Sequence, residues 1–226
     1  MGLAKRVIPT LLVRGGRLIK GRRFAADRVI GNALQAARTH AMRGVDELVI
    51  FSLDPTPQYE LIDAVTKDCF TPVAFGGGIY DLDTAARLFR SGVDKLIVNG
   101  DLRLIDDIAR RYGSQAVVAC VNVDEATDAE QEAALAESAG AGEIIVQSVD
   151  RDGTLSGYDL ELVEHVTALV GVPVVASGGC AGIADMAGAF TVGASGVAAG
   201  ALFSFTSMTP RQASECLNTY GFEVRV

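Results

Sequence analysis

Four glycine-containing turns are the parts of this sequence best suited to bind a ligand. Gly77-Gly78 and Gly178-Gly179 each follow a short apolar run, and Asn99-Gly100 and Gly200-Ala201 each follow the next run along the chain. Glycine lets the backbone approach an anion closely, and the free N–H groups that open a following helix can bind it. Two such pairs predict two phosphate sites and an elongated ligand with a phosphate at each end. The alternative is that these glycines only relieve crowding in tight turns.

An acidic loop supplies the candidate proton-transfer groups. Asp150, Asp152 and Gly153 lie in the segment Ser148–Thr154, directly after an apolar run. Carboxylates at the carboxyl end of a buried strand face the ligand site of an α/β fold, so we expect Asp150 and Asp152 to bind hydroxyls or to move protons, and Gly153 to help hold a phosphate. Capping within the loop is the alternative role for these residues.

Four charged residues stand at the opposite ends of the apolar runs. Arg6, Glu47, Lys95 and Glu143 occupy the first positions of four different runs. Charges rarely enter a buried place unpaired, so we expect two cations and two anions at one end of a barrel to neutralise each other in a ring. Considered alone, such a ring is best interpreted as a structural plug that closes the floor of the barrel.

Regular alternation of strands and helices must position these residues. Amphipathic segments separate eight nearly continuous apolar runs, as expected for parallel strands that are buried on both faces. We predict an α/β fold, a single (β/α)₈ TIM barrel over residues 1–226, with an open doubly wound sheet as the alternative. The predicted strands cover residues 6–13, 46–53, 72–75, 94–98, 116–123, 142–149, 172–176 and 195–199. The predicted helices cover residues 32–43, 58–67, 82–90, 104–112, 130–138, 159–169, 183–191 and 210–220.

An internal repeat favours closure of the barrel. Residues 44–54 match residues 140–150 at a constant offset, and Gly77-Gly78 followed by Gly92 matches Gly178-Gly179 followed by Gly193. Two similar half-barrels would place the matching turns on opposite sides of one mouth.

Composition narrows the class of protein. A formal net charge of −8 argues against a nucleic-acid partner. The four cysteines lie far apart and form no CxxC pair, which favours free thiols in a reducing cytoplasm. No apolar run is long enough to cross a membrane, and no histidine and cysteine cluster indicates a metal, so we expect no metal and no cofactor.

Taken in order along the chain, several motifs resemble one known family. They are residues 3–8, Val45–Val49, Gly76–Ile79, Ser91–Lys95, Tyr112–Val118 and Gly140–Asp159, the last with an Asp-Arg-Asp-Gly-Thr centre. The chain resembles the HisF-type cyclase subunit of imidazole glycerol phosphate synthase over almost its whole length.

The resemblance implies a partner and a route for ammonia. In that family a glutaminase docks on the amino-terminal face of the barrel, and its ammonia passes a four-residue salt-bridge gate to reach the ligand. The gate positions correspond to Arg6, Glu47, Lys95 and Glu143, so the resemblance favours a gate over a plug. Asp94 corresponds to a family residue at the glutaminase interface.

The chain departs from the family where cyclisation occurs. The two family aspartates are replaced here by Leu12 and Asn122, and the family's aspartate after the second predicted strand by Ser52. A leucine side chain cannot donate or accept a proton, and the Asn122 amide does not titrate near neutral pH. Asn122 stays a candidate for hydrogen bonding to the reacting group. Loss of such a pair is expected to slow each proton transfer it served by about 10²–10⁴-fold. The segments after the second and fifth predicted strands are also short for the family.

Three functions remain open on the sequence alone. The first is a barrel subunit of a glutamine amidotransferase complex that conducts ammonia, similar to the HisF-like branch that works beside sugar amidotransferases in acetamidino-sugar synthesis for surface polysaccharides. The second is a true cyclase of histidine biosynthesis, a lyase with substitute residues such as Asp150 or Asp152. The third is a phosphate-ligand binder or scaffold without catalysis, so the sequence leaves open whether this chain is itself an enzyme.

Overall fold

Eight parallel strands form the centre of the molecule. The computed structural model describes residues 4–225, so Leu3 and the two ends of the predicted domain lie outside the described residues. The barrel strands are β1 (Arg6–Arg14), β4 (Leu48–Ser52), β5 (Val73–Gly76), β6 (Lys95–Val98), β7 (Val117–Val123), β8 (Glu143–Ser148), β9 (Val174–Ser177) and β10 (Gly196–Ala199). Each corresponds to one predicted strand, with ends that differ by a few residues at most.

The sheet closes on itself. The last strand, β10, pairs in parallel with β1, with Arg6 beside Gly196 and Pro9 beside Ala199. On its other side, β1 pairs in parallel with β4. This closure confirms the predicted (β/α)₈ barrel and excludes the open doubly wound sheet.

Helices follow the barrel strands and cover the outside. They are α1 (Ala33–Met42), α2 (Tyr59–Asp68), α3 (Leu82–Arg90), α4 (Leu102–Tyr112), α5 (Ala129–Ser138), α6 (Leu160–Leu169), α7 (Ile183–Thr191), α8 (Ala201–Phe205) and α9 (Pro210–Thr219), with one 3₁₀ turn at Ser114–Ala116. Eight of them were predicted, and the short α8 was missed because five residues carry too little periodicity to recognise. Aspartate caps begin several helices at the barrel mouth, such as Asp81 on α3 and Asp159 on α6.

A β-hairpin is the largest element that the sequence analysis missed. Strands β2 (Arg17–Arg22) and β3 (Ala25–Asn32) pair with each other, and β2 pairs antiparallel with the end of β1. The hairpin reaches across the mouth to the loop after β8, where the Arg23 N–H donates to the carbonyl of Asp152 at 2.9 Å. The hairpin was missed because its sequence is rich in charged residues and contains no continuous apolar run.

The predicted half-barrel repeat is present in three dimensions. A Cβ added to Gly77 would collide with the carbonyl oxygen of Ser52, and one added to Gly178 would lie 2.5 Å from the carbonyl oxygen of Ser148. Both glycines have positive φ, at 105° and 92°, so the two turns cross the preceding strand end in the same way. The repeat therefore extends to the packing of equivalent backbone atoms.

The core has an outer and an inner part. Larger apolar side chains fill the space between strands and helices, including Leu48, Leu96 and Ile144. A smaller cluster fills the inside of the barrel and consists of Ile8, Val49, Ala74, Ile97, Val118, Cys120, Ile145, Val175 and Ala198. The interior is thus an apolar layer between the two ends of the barrel.

Candidate ligand cavity and barrel floor

A cavity of about 470 Å³ opens at the carboxyl ends of the strands, a size typical of small-molecule sites. Most of the predicted ligand and catalytic residues line it: Leu12, Gly77, Gly78, Asn99, Asn122, Asp152, Gly153, Gly178, Gly179, Gly200 and Ala201. Asp150 and Gly100 are not among its lining residues. The structure therefore brings residues from the first to the last strand together in one place.

The two candidate aspartates of the acidic loop have different surroundings. Asp150 is exposed, and its carbonyl accepts a hydrogen bond from Nε of Arg23 in the hairpin at 3.0 Å. Asp152 points into the cavity, where its Oδ1 accepts from Nε2 of Gln147 at 3.3 Å, and Gln147 in turn accepts from the Ser177 hydroxyl. Of the two, only Asp152 is placed to act on a bound ligand.

Lys20 is a site residue that the sequence analysis missed. It lies on β2 and lines the cavity, and its ammonium reaches the glycine turn after β10. A Cβ added to Gly200 would collide with Nζ of Lys20 and lie 2.7 Å from Oγ1 of Thr10, so glycine is required for this approach. In the sequence Lys20 is one of several basic residues between Arg17 and Arg23, and without the hairpin it could not be assigned to the mouth.

Burial shifts the pKa values of Lys20 and Asp152 towards neutrality. Desolvation lowers the pKa of Lys20, and the charge of Asp152 partly opposes that shift. Desolvation likewise raises the pKa of Asp152, against the effects of the Lys20 charge and the Gln147 hydrogen bond. An acid and a base with shifted pKa values in one cavity are able to exchange protons with a ligand.

The positions where the family has its aspartates face the same cavity. Leu12 and Asn122 both line it, from β1 and β7. The Asn122 Oδ1 lies 3.5 Å from Sγ of Cys120, whose thiol pKa burial raises to about 12. Neither position supplies a group that titrates near neutral pH.

At the opposite end of the barrel, the four predicted charges form a closed ring. Arg6 donates to Glu47 at 2.7 Å and also to Glu143. Lys95 lies 3.0 Å from Glu47 and 2.7 Å from Glu143. Each cation therefore bridges both carboxylates, and each carboxylate bridges both cations.

The two carboxylates of the ring are buried, the two cations are partly buried, and their charges stabilise one another. Burial alone would lower the pKa of Arg6, but the hydrogen bonds and charges of Glu143 and Glu47 outweigh it and raise that pKa. Burial would raise the pKa of Glu143, but Arg6 and Lys95 outweigh it and lower that pKa. Arg6 and Glu143 are thus held in their charged forms by their partners.

A second cavity of about 560 Å³ lies below the ring. Its lining includes Arg6, Lys95 and Glu143, together with Lys5 and Asp46. Asp94, the predicted partner-contact residue, is exposed on this side of the barrel, and its Oδ2 accepts from the Val73 N–H at 2.8 Å. The ring therefore stands between this lower cavity and the apolar interior of the barrel.

Residues 4–225 contain neither a metal-binding cluster nor a membrane-spanning helix. No group of three or more His, Cys, Asp or Glu side chains is arranged to hold a metal ion. No helix among the same residues has the length and apolar character needed to cross a membrane.

Comparison with known proteins identifies the family. The profile described as "Histidine biosynthesis protein" matches residues 6–209. The chain is 36% identical to the imidazole glycerol phosphate synthase subunit HisF of Leifsonia xyli subsp. xyli over 253 aligned positions, with 100% of both chains covered. This chain belongs to the HisF-type histidine biosynthesis proteins. The resemblance inferred from the motifs is thereby confirmed.

Other HisF-type relatives show similar identity. The HisF subunit of Chlorobium limicola is 36% identical over 250 positions, covering 99% of this chain and 100% of the relative. A Pseudomonas aeruginosa chain provisionally named imidazole glycerol phosphate synthase subunit hisF2 is 37% identical over 228 positions, covering 89% of this chain and 91% of the relative. The alignments to the first two relatives are longer than the 226 residues of this chain, so they contain gaps in it, in line with the shortened connections inferred from the sequence.

Proposed function

We propose that this HisF-type chain is the barrel subunit of a glutamine amidotransferase complex. A glutaminase docks on the amino-terminal face, around the lower cavity and Asp94. Its ammonia passes the Arg6–Glu47–Lys95–Glu143 ring, crosses the barrel interior and emerges beside a phosphorylated ligand at the mouth. The four free cysteines, Cys69, Cys120, Cys180 and Cys216, support action in the cytoplasm.

The position of the charged ring is the observation that carries this proposal. A plug that served stability alone would be better made of apolar side chains, because replacing a buried ion-pair network by well-packed hydrophobic residues is often neutral or stabilising. A polar constriction formed by Arg6, Lys95 and their carboxylate partners between the lower cavity and the barrel interior instead suits a gate for a small polar molecule.

The interior above the ring suits a molecule of the size of ammonia. The layer that ammonia must cross is built from aliphatic side chains, with small ones at Ala74 and Ala198. Neutral ammonia crosses such a layer at far lower cost than ammonium, since burying an unpaired charge is strongly unfavourable. An apolar passage therefore delivers the nucleophilic form and excludes water.

The phosphate of the ligand is assigned to the β9–β10 side of the mouth. Gly178, Gly179 and Ala201 are buried there beneath the hairpin, and Lys20 supplies a cation directly above Gly200. Backbone N–H groups and one lysine form a binding site for a phosphate that needs no positive net charge on the protein.

The residues at the mouth favour ammonia delivery over cyclisation. Leu12 and Asn122 leave the cavity without the acid and base of the family reaction. The ammonia acceptor is then an intermediate handled with a sugar amidotransferase, as in the acetamidino-sugar branch to which the sequence is similar.

The proposal is tested in a purified complex. The chain is co-expressed with the glutaminase encoded nearest to it, and co-purification, ligand-dependent glutamine hydrolysis and transfer of labelled amide nitrogen to the acceptor are measured. Lys95→Met and Glu47→Gln should leave glutamine hydrolysis intact but release the ammonia to solvent. Glu132→Gln on the exposed surface of α5 is the matched control. Normal coupling in both ring variants would overturn the channel.

A second candidate, the cyclase reaction of histidine biosynthesis, is favoured by one observation. Asp152 and Lys20 form an acid and base with shifted pKa values inside the cavity. A cyclase assay with ammonium salt should then detect activity that Asp152→Asn lowers by about 10²–10⁴-fold, whereas Asp150→Asn leaves it unchanged. Absence of cyclase activity in the parent protein would reject this candidate. A binder or scaffold without catalysis would show ligand binding but no ligand-dependent glutamine hydrolysis.

A further inference from the structure

The two pseudo-equivalent turns at the mouth differ in charge. In the β10 turn, Gly200 is followed by Ala201 and Leu202, whereas the β6 turn reads Asn99, Gly100 and Asp101. Asp101 therefore stands where the matching half has an apolar residue. This inference rests on the proposed phosphate site beside Lys20 and concerns the opposite end of the same ligand.

Asp101 places a carboxylate where a second phosphate would approach. It lines the cavity as the N-cap of α4, and its Oδ1 accepts the Leu104 N–H at 2.9 Å. Its own N–H donates to the carbonyl of Asn99 at 2.9 Å. An anion placed here would be repelled by the Asp101 carboxylate and would find the Leu104 N–H already occupied.

The neighbouring amide is also occupied. Nδ2 of Asn99 donates to the carbonyl of Cys120 at 2.7 Å. The side-chain amide of Asn99 is therefore not free to bind a phosphate on the β5–β6 side.

The cations of the cavity are distributed unequally as well. Among its lining residues only Arg14 and Lys20 are basic, and Arg14 is paired with Asp27 at 2.5 Å. Lys20 has no hydrogen bond or ion pair of its own among the described residues and lies on the β10 side. The cavity thus has one unpaired cation, which can pair with one phosphate. A second phosphate would be buried with no cation available to neutralise its charge.

The cavity also has an apolar rim. Leu53, Ile79 and Tyr80 line it, and Leu53 and Tyr80 are exposed. A group that contacts this rim and donates hydrogen bonds to the free Oδ2 of Asp101 is a hydroxyl- or amino-bearing carbon chain.

We propose that the ligand of this barrel is a monophosphate whose far end carries hydroxyl or amino groups and no second phosphate. Its phosphate binds above Gly178, Gly179 and Gly200 with Lys20, and its far end donates to Asp101. The cavity thereby selects against bisphosphates, although the glycine turns of the sequence are repeated.

Calorimetric titration with matched probes tests this specificity. The probes are ω-hydroxyalkyl phosphates and α,ω-alkanediyl bisphosphates of the same increasing chain lengths, titrated into the full chain. We expect the parent protein to bind each monophosphate at least as tightly as its bisphosphate partner. Asp101→Asn keeps a side chain that caps helices but removes the charge, and should tighten bisphosphate binding about tenfold at the best-fitting length. Asp63→Asn, on the exposed surface of α2, is the charge-matched control.

The outcomes separate this inference from the proposed function. Parent protein that prefers bisphosphates, or an Asp101→Asn variant with unchanged preference, overturns the monophosphate assignment and leaves the phosphate site intact. Binding of neither series, or monophosphate binding that Lys20→Gln leaves unchanged, overturns the phosphate site and this inference with it.

Discussion

Glu47 and Glu143 lie at the starts of β4 and β8, in the two halves of the barrel, and each is paired with the same two cations, Arg6 and Lys95. The two glutamates hold matching positions in the internal repeat, one residue before Leu48 and Ile144. Arg6, Glu47 and Lys95 come from the first half of the barrel, and Glu143 from the second half completes the ring. The ring therefore joins the two halves at the floor of the barrel.

Glu143→Ala should destabilise the protein. Both cations would be left with one carboxylate between them, and removing one partner of a buried ion pair typically costs about 3–5 kcal/mol. Since Arg6 and Lys95 retain some solvent contact, we expect the free energy of unfolding to fall by about 3 kcal/mol in urea denaturation. Glu164→Ala, exposed on α6, should change it by less than about 0.5 kcal/mol. Equal losses in both variants would mean that the ring adds nothing to folding.

His40 should make the fold sensitive to mild acid. Burial, with a smaller effect of the Arg43 charge, lowers the pKa of His40 from 6.5 to about 4. Between these values the unfolded chain binds the proton and the folded chain does not, so stability is full above the unfolded pKa and falls as pH decreases towards the folded one. We expect a loss of about 2 kcal/mol between about pH 7 and about pH 5.

Urea denaturation at the two pH values measures that loss. His40→Leu should remove most of the difference between them. His165→Gln should retain it, because His165 is exposed. A pH dependence that His40→Leu leaves unchanged would assign the acid sensitivity to other groups.

The tip of the hairpin stores backbone strain. Arg23 and Phe24 form a two-residue turn with φ of 53° and 58°, a left-handed conformation that residues other than glycine avoid. Phe24→Gly should be more stable than Phe24→Ala by about 1 kcal/mol, because both variants lose the exposed ring and only alanine keeps the strain. Thermal unfolding of the two variants checks the order, and equal midpoints would show that the turn is not strained.

Gly200→Ala should reduce the free energy of inorganic phosphate binding by more than it reduces the free energy of unfolding. The backbone of Gly200 has φ of −115°, which alanine adopts without strain, but its methyl group would displace the Lys20 ammonium. We expect a loss of affinity of about tenfold, the value of roughly one charge-assisted hydrogen bond.

Gly100→Ala should have the opposite pattern of effects, with a loss of stability and no loss of phosphate affinity. Gly100 has φ of 69° and nothing within 4 Å of an added Cβ, so the variant should lose about 1 kcal/mol of stability while phosphate affinity stays unchanged. Calorimetry and urea denaturation of both variants separate the two effects. If Gly100→Ala also weakened phosphate binding, the β6 turn would have to be part of the phosphate site.

The fold and much of the site were readable from the sequence because they depend on local or repeated patterns. Continuous apolar runs identify buried parallel strands, and strand ends identify which side chains reach the mouth or the floor. The glycine turns were placed in this way, whereas Leu12 and Asn122 were singled out by the resemblance to the HisF-type family. The hairpin was not predicted, because its charged and exposed residues form no continuous apolar run, and its position over the mouth depends on contact with the loop after β8, more than a hundred residues away in the chain.

Tertiary structure alone decided how the charged residues are partnered. Asp150 and Asp152 are two residues apart in an irregular loop, where no periodicity indicates which side chain turns inward. Lys20 became a site residue only because the hairpin brings it above Gly200. By itself the sequence determined the barrel and the four charges of its floor, since these follow from short-range pattern and residue type. Closure of the sheet determined which distant side chains meet. Burial and charge pairing depend on residues that are close in space but far apart in the sequence, and the sequence alone does not show which residues these are.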